Sequence, residues 1–320
     1  MLPTFVRAVL LPTRSPVSLD LLQDALETAV VPEGEWVLLR RLPPVRPGWF
    51  LGDEALLCRW IPEPSDGPVH PPITVVIDAP DRKLPSLGSE DADLTAAYAL
   101  GAFGPGAAPG GLVRASQASP EWPEAAAVAG AHEGLIRVRL SYGLGAGGTA
   151  APSGRVRDVE LNLLTALVTP LLELSEVLGW FHAPGERLVS RQAVRRALKH
   201  AREDGRLPIE LWTHQRAWKL ADADEWVLHD TVGMPSMGGR DIELAIRADQ
   251  LPPVDAAVFL RNLSLYTLDE GDPFKSGHTA ESPVGRLRAR VLARGFAAPV
   301  RRVVRWSPIG GRGLPAVLQA

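Results

Sequence analysis

The chain has 320 residues, of which 46% are apolar, and it contains nine tryptophans. This length and composition predict one large or two ordinary folded domains and argue against a disordered chain.

The single cysteine, Cys58, excludes an internal disulfide framework and a multi-cysteine metal site. Because Cys58 lies in an apolar segment, we predict a buried thiol and not a nucleophile. No apolar run approaches the roughly 20 residues that a membrane span needs, so we expect no membrane segment and a cytoplasmic location.

The net charge of −3 is spread unevenly along the sequence. No aspartate or glutamate follows Glu281, whereas the same segment contains Arg286, Arg288, Arg290, Arg294, Arg301, Arg302, Arg305 and Arg312. This segment therefore carries +8, and the rest of the chain carries −11. The arginines can be compensated by the acidic remainder of the same fold, or they can form a binding surface for an acidic partner.

The first part of the chain alternates strand and helix patterns. Strands are predicted at Val6–Pro12, Trp36–Leu42, Glu54–Pro62, Ile73–Ala79 and Leu135–Tyr142. Helices are predicted after the cap residue Ser18, at Asp91–Leu100 and at Trp122–Ala131. This order is that of a ferredoxin-like unit. The glycine- and proline-rich segment Gly101–Gly111 suggests a linker, so we predict an N-terminal lobe over 1–118 and a second lobe over 119–320, which could also form one compact unit.

The second part is also a mixture of helices and strands. Helices are predicted at Val156–Leu178 (with a kink or restart at Pro170, capped by Thr169), from Ser190 to Gly205, at Pro253–Thr267 and at Ser282–Gly295. Strands are predicted at Trp180–His182, Ile209–His214, Ala217–Leu220, Glu225–Thr231 and Ile242–Ile246, with an edge strand at Val300–Trp306. The whole pattern predicts an α+β fold with mixed or antiparallel sheets and helices packed on one face.

The segment from Trp226 to Leu244 has the alternation of a β-turn-β unit. We predict that Trp226, Leu228, Ile242 and Leu244 are buried. The same alternation places Asp241 and Glu243 on the opposite, solvent-exposed face of the second strand.

Several short segments, taken in order, carry a family resemblance. They are Trp122–Ala125, His132, Leu135–Leu140, Leu161–Leu178, Gly179–Phe181, Leu188–Arg191, Leu207–Trp212, Thr231–Met234, Asp241–Leu244 and Gly271–Thr279. In this order the chain resembles the bacterial DUF4261 family, a domain of unknown function, over roughly residues 120–295. The strand Val6–Pro12 and the segment Leu57–Pro64 extend the resemblance. One loop departs from it, because Lys275–Thr279 reads Lys-Ser-Gly-His-Thr where the family is expected to have Asp-Gly-Asp-Thr.

The motifs that could indicate catalysis or cofactor binding are weak. Gly143–Gly148 fits the spacing GxGxxG. However, Arg137 and Arg139 make the preceding strand half polar, and no helix follows the glycines directly. We therefore expect no cofactor.

A second group of residues gives the alternative hypothesis of an enzyme. Asp230, Asp241 and Glu243 could act with His229 or His278 as a hydrolase site or as metal ligands.

The basic residues favour a binding function over catalysis. Arg191, Arg195, Lys199 and Arg202 form a stripe on the helix that follows Ser190. We predict a non-catalytic protein that binds an acidic protein partner through Arg191, Arg195, Lys199, Arg301, Arg302 and Arg305. By analogy it would serve as an immunity or accessory protein of a bacterial toxin or secretion system. A nucleic-acid binder that uses the arginine-rich segment is the third hypothesis, which the negative net charge disfavours.

Overall fold

The computed structural model describes residues 5–43, 48–49, 54–63, 70–85, 91–119, 121–143, 152, 156–310 and 313–319. The chain forms two compact units, Met1–Leu211 and Trp212–Ala320, and the strands of each unit form one sheet. The α+β class is therefore confirmed. The division lies far from the boundary expected at residue 118, because strands from both sides of that position pair in the first sheet.

In the described part of the first unit, the sheet has seven strands. In spatial order they are β2 (Gly34–Leu42), β3 (Ala55–Pro62), β4 (Ile73–Asp78), β5 (Gly134–Ser141), β1 (Arg7–Thr13), β6 (Trp180–His182) and β7 (Arg187–Val189). Each neighbouring pair is antiparallel. The ferredoxin-like order is not confirmed, because β1 lies between β5 and β6 and the additional strand β4 pairs with β5.

The helices of this region are α1 (Leu19–Leu26), α2 (Ala92–Ala99), α3 (Gly111–Gln117), α4 (Ala125–Ala131), α5 (Arg157–Leu171), α6 (Arg191–Asp204) and α7 (Ile209–Trp212). Ser18 and Ser190 cap α1 and α6 as predicted, each accepting a hydrogen bond from the backbone N–H three residues later. No new helix begins at Pro170. Helix α5 includes Pro170 and ends one residue later at Leu171, and the Thr169 hydroxyl donates to the carbonyl of Thr165 instead of capping a new helix.

The sheet of the second unit has six strands. In spatial order they are β11 (Thr279–Ser282), β12 (Gly285–Leu292), β13 (Val303–Pro308), β10 (Asp241–Arg247), β9 (Trp226–Val232) and β8 (His214–Lys219). Only the pair of β10 and β13 is parallel among these neighbours. Two helices accompany this sheet, α8 (Pro253–Asp269) and α9 (Ala316–Gln319). None of the helices in the described part of the chain is both long and apolar enough to cross a membrane.

Three predicted elements were wrong in this region. The segment 209–212 is the short helix α7 and not a strand, which follows from Pro208 because proline favours the first turn of a helix. The predicted helix at 282–295 is instead a hairpin of β11 and β12, in which Leu287 and Ala289 alternate with exposed arginines. Strand β13 is not an edge strand, because it pairs with both β12 and β10.

The core of the second unit lies between β10, β13 and α8. The four residues predicted to be buried, Trp226, Leu228, Ile242 and Leu244, are all buried, with 5% exposure or less. Leu244 packs in one cluster with Leu260 of α8. Leu318 of α9 packs with Leu228 in a separate cluster, so both faces of this sheet are covered in part.

We expect Leu244→Ala to lower the free energy of unfolding of the second unit by about 2–5 kcal/mol, because it opens a cavity in a close-packed core. Urea denaturation followed by tryptophan fluorescence measures this difference. An unchanged transition midpoint would contradict the assignment of Leu244 to the core.

Candidate functional site

Asp230 lies at the centre of a buried polar network in the second unit. Its carboxylate is fully buried and accepts hydrogen bonds from Arg216 Nε at 3.0 Å, from Arg216 Nη2 at 2.6 Å and from Trp218 Nε1 at 3.1 Å. Arg301 Nη2 also donates to Asp230 Oδ2. Two guanidinium groups and one indole therefore occupy both oxygens of this carboxylate, and Arg216 binds it with two parallel hydrogen bonds.

Asp241 belongs to the same network. Its Oδ1 accepts hydrogen bonds from the Met234 N–H at 3.0 Å and from the Thr231 hydroxyl at 3.2 Å, and its Oδ2 lies 3.0 Å from Arg301 Nε. Burial raises the pKa of Asp241 to about 7. Arg301 and the Met234 N–H oppose this rise, whereas the nearby Asp230 carboxylate adds to it.

Glu243 forms a second ion pair on the same face of the sheet. Its Oε2 accepts a hydrogen bond from Arg305 Nε at 2.7 Å, and its Oε1 accepts one from the Phe296 N–H at 2.7 Å. Arg305 also donates to the carbonyl of Leu318. The arginines that follow Glu281 thus bind acids or carbonyls of their own unit at positions 286, 290, 301 and 305.

The prediction that Asp241 and Glu243 face solvent was wrong, since their exposure is 1% and 0%. The alternation along β10 was correct, but both faces of the strand are buried. The acids tolerate burial because arginines that are distant in sequence pair with them. Arg301 and Arg305 were likewise expected to face outward, yet their side chains are only 7% and 4% exposed. Arg302 is exposed as expected.

The histidines do not converge with these acids into a catalytic arrangement. His229 and Asp230 are consecutive in β9, so their side chains point to opposite faces of the sheet. Burial lowers the pKa of His229. His278 lies on a cleft of about 620 Å³ that is also lined by Tyr266, Phe274 and Trp306. In the part of the chain that the structure describes, no group of three or more His, Cys, Asp or Glu residues could hold a metal ion.

The raised pKa of Asp241 predicts a pH dependence. A folded-state pKa of about 7 against the ordinary 3.8 means that the folded protein binds the extra proton between these values. The contribution of Asp241 to stability is therefore largest below about pH 4 and is lost as the pH rises to about 7. Because asparagine does not titrate, we expect the unfolding free energy of the unmodified protein to fall relative to that of Asp241→Asn along this range, as measured by urea denaturation at several pH values. A difference that stays constant from pH 4 to pH 7 would contradict this assignment.

A similar network is buried in the first unit. Asp78 accepts hydrogen bonds from Arg137 Nε at 2.9 Å, from Arg137 Nη2 at 2.6 Å and from Arg139 Nη2 at 2.7 Å, and all three side chains are fully buried. The Arg137 guanidinium lies over the ring of Phe103 at 5.7 Å, and that of Arg139 lies over Phe5 at 4.4 Å. The half-polar strand β5 is therefore buried on both faces.

The glycine motif falls largely outside the described residues, which do not include 144–148. The strand before it can still be assessed. Strand β5 pairs antiparallel with both β4 and β1. The first strand of a dinucleotide-binding fold pairs in parallel, so this topology gives no support to a cofactor site at Gly143–Gly148.

Cys58 is buried as predicted, with 1% exposure. Burial raises the pKa of its thiol to about 12, so the thiolate is scarce at neutral pH.

The basic stripe lies on α6 in the first unit, where its members differ in their surroundings. Arg191 is half-buried and donates to the carbonyls of Leu174 and Val177 at 2.9 and 3.0 Å. Arg195 forms an exposed ion pair with Glu173. The Nζ atom of Lys199 lies 3.8 Å from Oε1 of Glu203. Arg191 thus ties α6 to the preceding segment, whereas Arg195 and Lys199 remain at the surface.

A groove of about 620 Å³ runs beside this stripe, between α5 and α6. Its lining includes Val30, Ala166, Pro170, Leu198, Ala201, Arg202 and Arg206. Val30 is 88% exposed, so its side chain is accessible at this groove. Arg202 and Arg206 are exposed, and the structure gives neither of them an ion pair within the described ranges. The groove therefore combines apolar residues with Arg202 and Arg206, and its lining also includes Glu173, which pairs with Arg195.

Comparison with known proteins identifies part of the second unit. Residues 230–307 match the family described as Domain of unknown function (DUF4261). The predicted resemblance is confirmed over these residues, which include Asp230, Asp241, Glu243, Arg301 and Arg305. No curated protein and no solved structure matches the chain.

Proposed function

We propose that this chain, in which residues 230–307 match the DUF4261 family, is a non-catalytic protein that binds an acidic protein partner in the groove between α5 and α6. The observation that carries the proposal is the pairing of an apolar wall with Arg202 and Arg206 in one concave surface. Apolar burial supplies most of the affinity in such a site, and the charges select the partner.

The occupant that fits this groove is an amphipathic helix with acidic residues at one margin. Helices dock in apolar grooves through residues spaced three and four apart, and the wall formed by Ala166, Leu198 and Ala201 leaves room for such side chains. Carboxylates of the helix would pair with Arg202 and Arg206. Arg195 and Lys199 extend the positive charge along α6, because exposed ion pairs such as that of Arg195 with Glu173 exchange partners at little cost.

The two rival functions have less support. A hydrolase that uses Asp230, Asp241 and Glu243 would need a carboxylate free to act on a substrate, but arginines hold these three groups inside the sheet. A nucleic-acid binder would use the arginine-rich segment, in which Arg301 and Arg305 are already bound to acids of the same unit. In the cell, we propose that the protein serves as an immunity or accessory protein of a toxin or secretion system.

Affinity capture from the native host tests the proposal. The protein, the double variant Arg202→Glu with Arg206→Glu, and the control Arg288→Glu with Arg302→Glu would each be used as bait at low and high salt. Both variants change the net charge equally, and all four arginines are exposed. We expect an acidic partner that the groove variant loses by tenfold or more and the control retains. Equal recovery by the unmodified protein and the groove variant would contradict the proposed site.

A further inference from the structure

Strand β2 is an edge of the seven-stranded sheet that the described residues form. It pairs only with β3 among the described strands. Nine residues form the strand, none of them is fully buried, and Leu38 and Leu39 are 37% and 49% exposed. A long edge strand with exposed apolar residues presents a row of free backbone donors and acceptors, which makes it a site for pairing with another strand.

The pairing of β2 with β3 determines which side chains share a face. Glu35, Val37 and Arg40 lie opposite Ile61, Arg59 and Leu57, which are alternate residues of β3 and therefore point the same way. Trp36, Leu38 and Arg41 share the other face by the same reasoning. A bulge at Leu39 keeps Arg40 on the face of Glu35 although the two are five residues apart.

We infer that β2 pairs antiparallel with β2 of a second copy of this chain, with Val37 on the twofold axis. In this register Glu35 of each copy lies opposite Arg40 of the other, and Trp36 lies opposite Leu38. The acidic end of the strand in one copy thus faces the basic end of the strand in the other copy, as an isologous interface requires. Both Glu35 and Arg40 are exposed, and the described residues provide no ion pair for either of them.

A cavity at the same edge supports this occupant. It measures about 240 Å³ and is lined by Trp36 and Leu38 together with Leu26 and Cys58. Trp36 and Leu38 of the second copy would lie directly beside it and would extend its apolar wall. A twofold contact closes on itself, and the bulge at Leu39 restricts pairing to one register, so the same strand favours a dimer over a fibre.

Sedimentation velocity and light scattering of the full-length protein over a range of concentrations test the inference. We expect a reversible dimer of the 34.4 kDa chain. Glu35→Arg and Arg40→Glu should each raise the dimer Kd by about tenfold or more, since each replaces two cross-strand attractions with repulsions. The double variant Glu35→Arg with Arg40→Glu should restore the dimer, because it exchanges the charges and keeps their complementarity.

Matched controls separate this effect from a general effect of charge. Glu124→Arg and Arg288→Glu make the same charge changes at exposed positions outside β2 and should leave the Kd unchanged. Hydrogen exchange should also show amides of β2 that become protected as the concentration rises. A chain that stays monomeric at the highest concentration, or a double variant that remains as weak as the single variants while it retains the native circular dichroism spectrum, would overturn the inference.

Discussion

Replacing Asp78 by alanine should destabilise the first unit by about 3–5 kcal/mol, because it leaves Arg137 and Arg139 charged and buried without their carboxylate. All three side chains have 0% exposure, so bulk water does not solvate these charges in the folded unit. The Arg137 guanidinium would keep its contact with the ring of Phe103 and its bond to the carbonyl of Trp49, neither of which replaces the lost negative charge. The total free energy of unfolding of a domain is only a few times larger than this loss. The variant would therefore be close to unfolding.

Hydrogen exchange measures this loss where it arises. Amides of β4 and β5 should exchange faster in Asp78→Ala, whereas amides of β9 and β10 in the second unit should be unaffected. Asp249→Ala is the matched control, because Asp249 also pairs with an arginine, Arg247, but at the exposed surface. We expect that control to match the unmodified protein. Equal exchange rates in β4 and β5 for all three proteins would show that the buried network contributes nothing to stability.

Replacing Asp230 by alanine should cost the second unit a similar amount, about 3–5 kcal/mol. Asp230 binds Arg216 and Arg301 at once, and the side chains of these arginines are only 6% and 7% exposed. Arg301 retains Asp241 and the carbonyl of Thr231, whereas Arg216 retains the carbonyl of Ala298. We therefore expect a folded but weakened unit in which β8 and the segment around 297–301 lose protection first.

A second substitution at the same position tests whether the ion pairs of Asp230 stabilise the unit. Asp230→Asn keeps the shape of the side chain and part of its hydrogen bonding, so it should recover some of the stability that alanine loses. If Asp230→Ala and Asp230→Asn had the stability of the unmodified protein, the ion pairs with Arg216 and Arg301 would not explain why this carboxylate is buried.

Local patterns in the sequence predicted many of the elements but not the buried charges. Alternation placed Ile242 and Leu244 in the core correctly, and it placed Asp241 and Glu243 on the other face correctly. It gave no information on what covers that face. The covering arginines follow Glu243 by about 60 residues, and a single sequence contains no signal that links residues so far apart.

In the last part of the chain, two local sequence patterns predict different secondary structures for the same residues. Ser282 and Pro283 fit the start of a helix, whereas Leu287, Ala289 and Val291 alternate as a strand does. The structure follows the alternation, because β12 completes a sheet between β11 and β13 and buries Leu287 and Ala289 against α8. The groove beside α6 could be anticipated only in part, since the stripe from Arg191 to Arg202 is visible in the sequence but α5 also contributes to its apolar wall, through Ala166 and Pro170.

Site-specific photo-crosslinking in the native host tests the central claim most directly. A photoreactive residue in place of Val30, which is exposed and lines the groove, would be compared with one in place of Val258, which is 52% exposed on α8. The proposed function predicts that position 30 crosslinks to an acidic helix of one partner protein and that Arg202→Glu with Arg206→Glu abolishes this product. Crosslinks that form only from position 258, or that persist unchanged in the double variant, would contradict a binding site between α5 and α6.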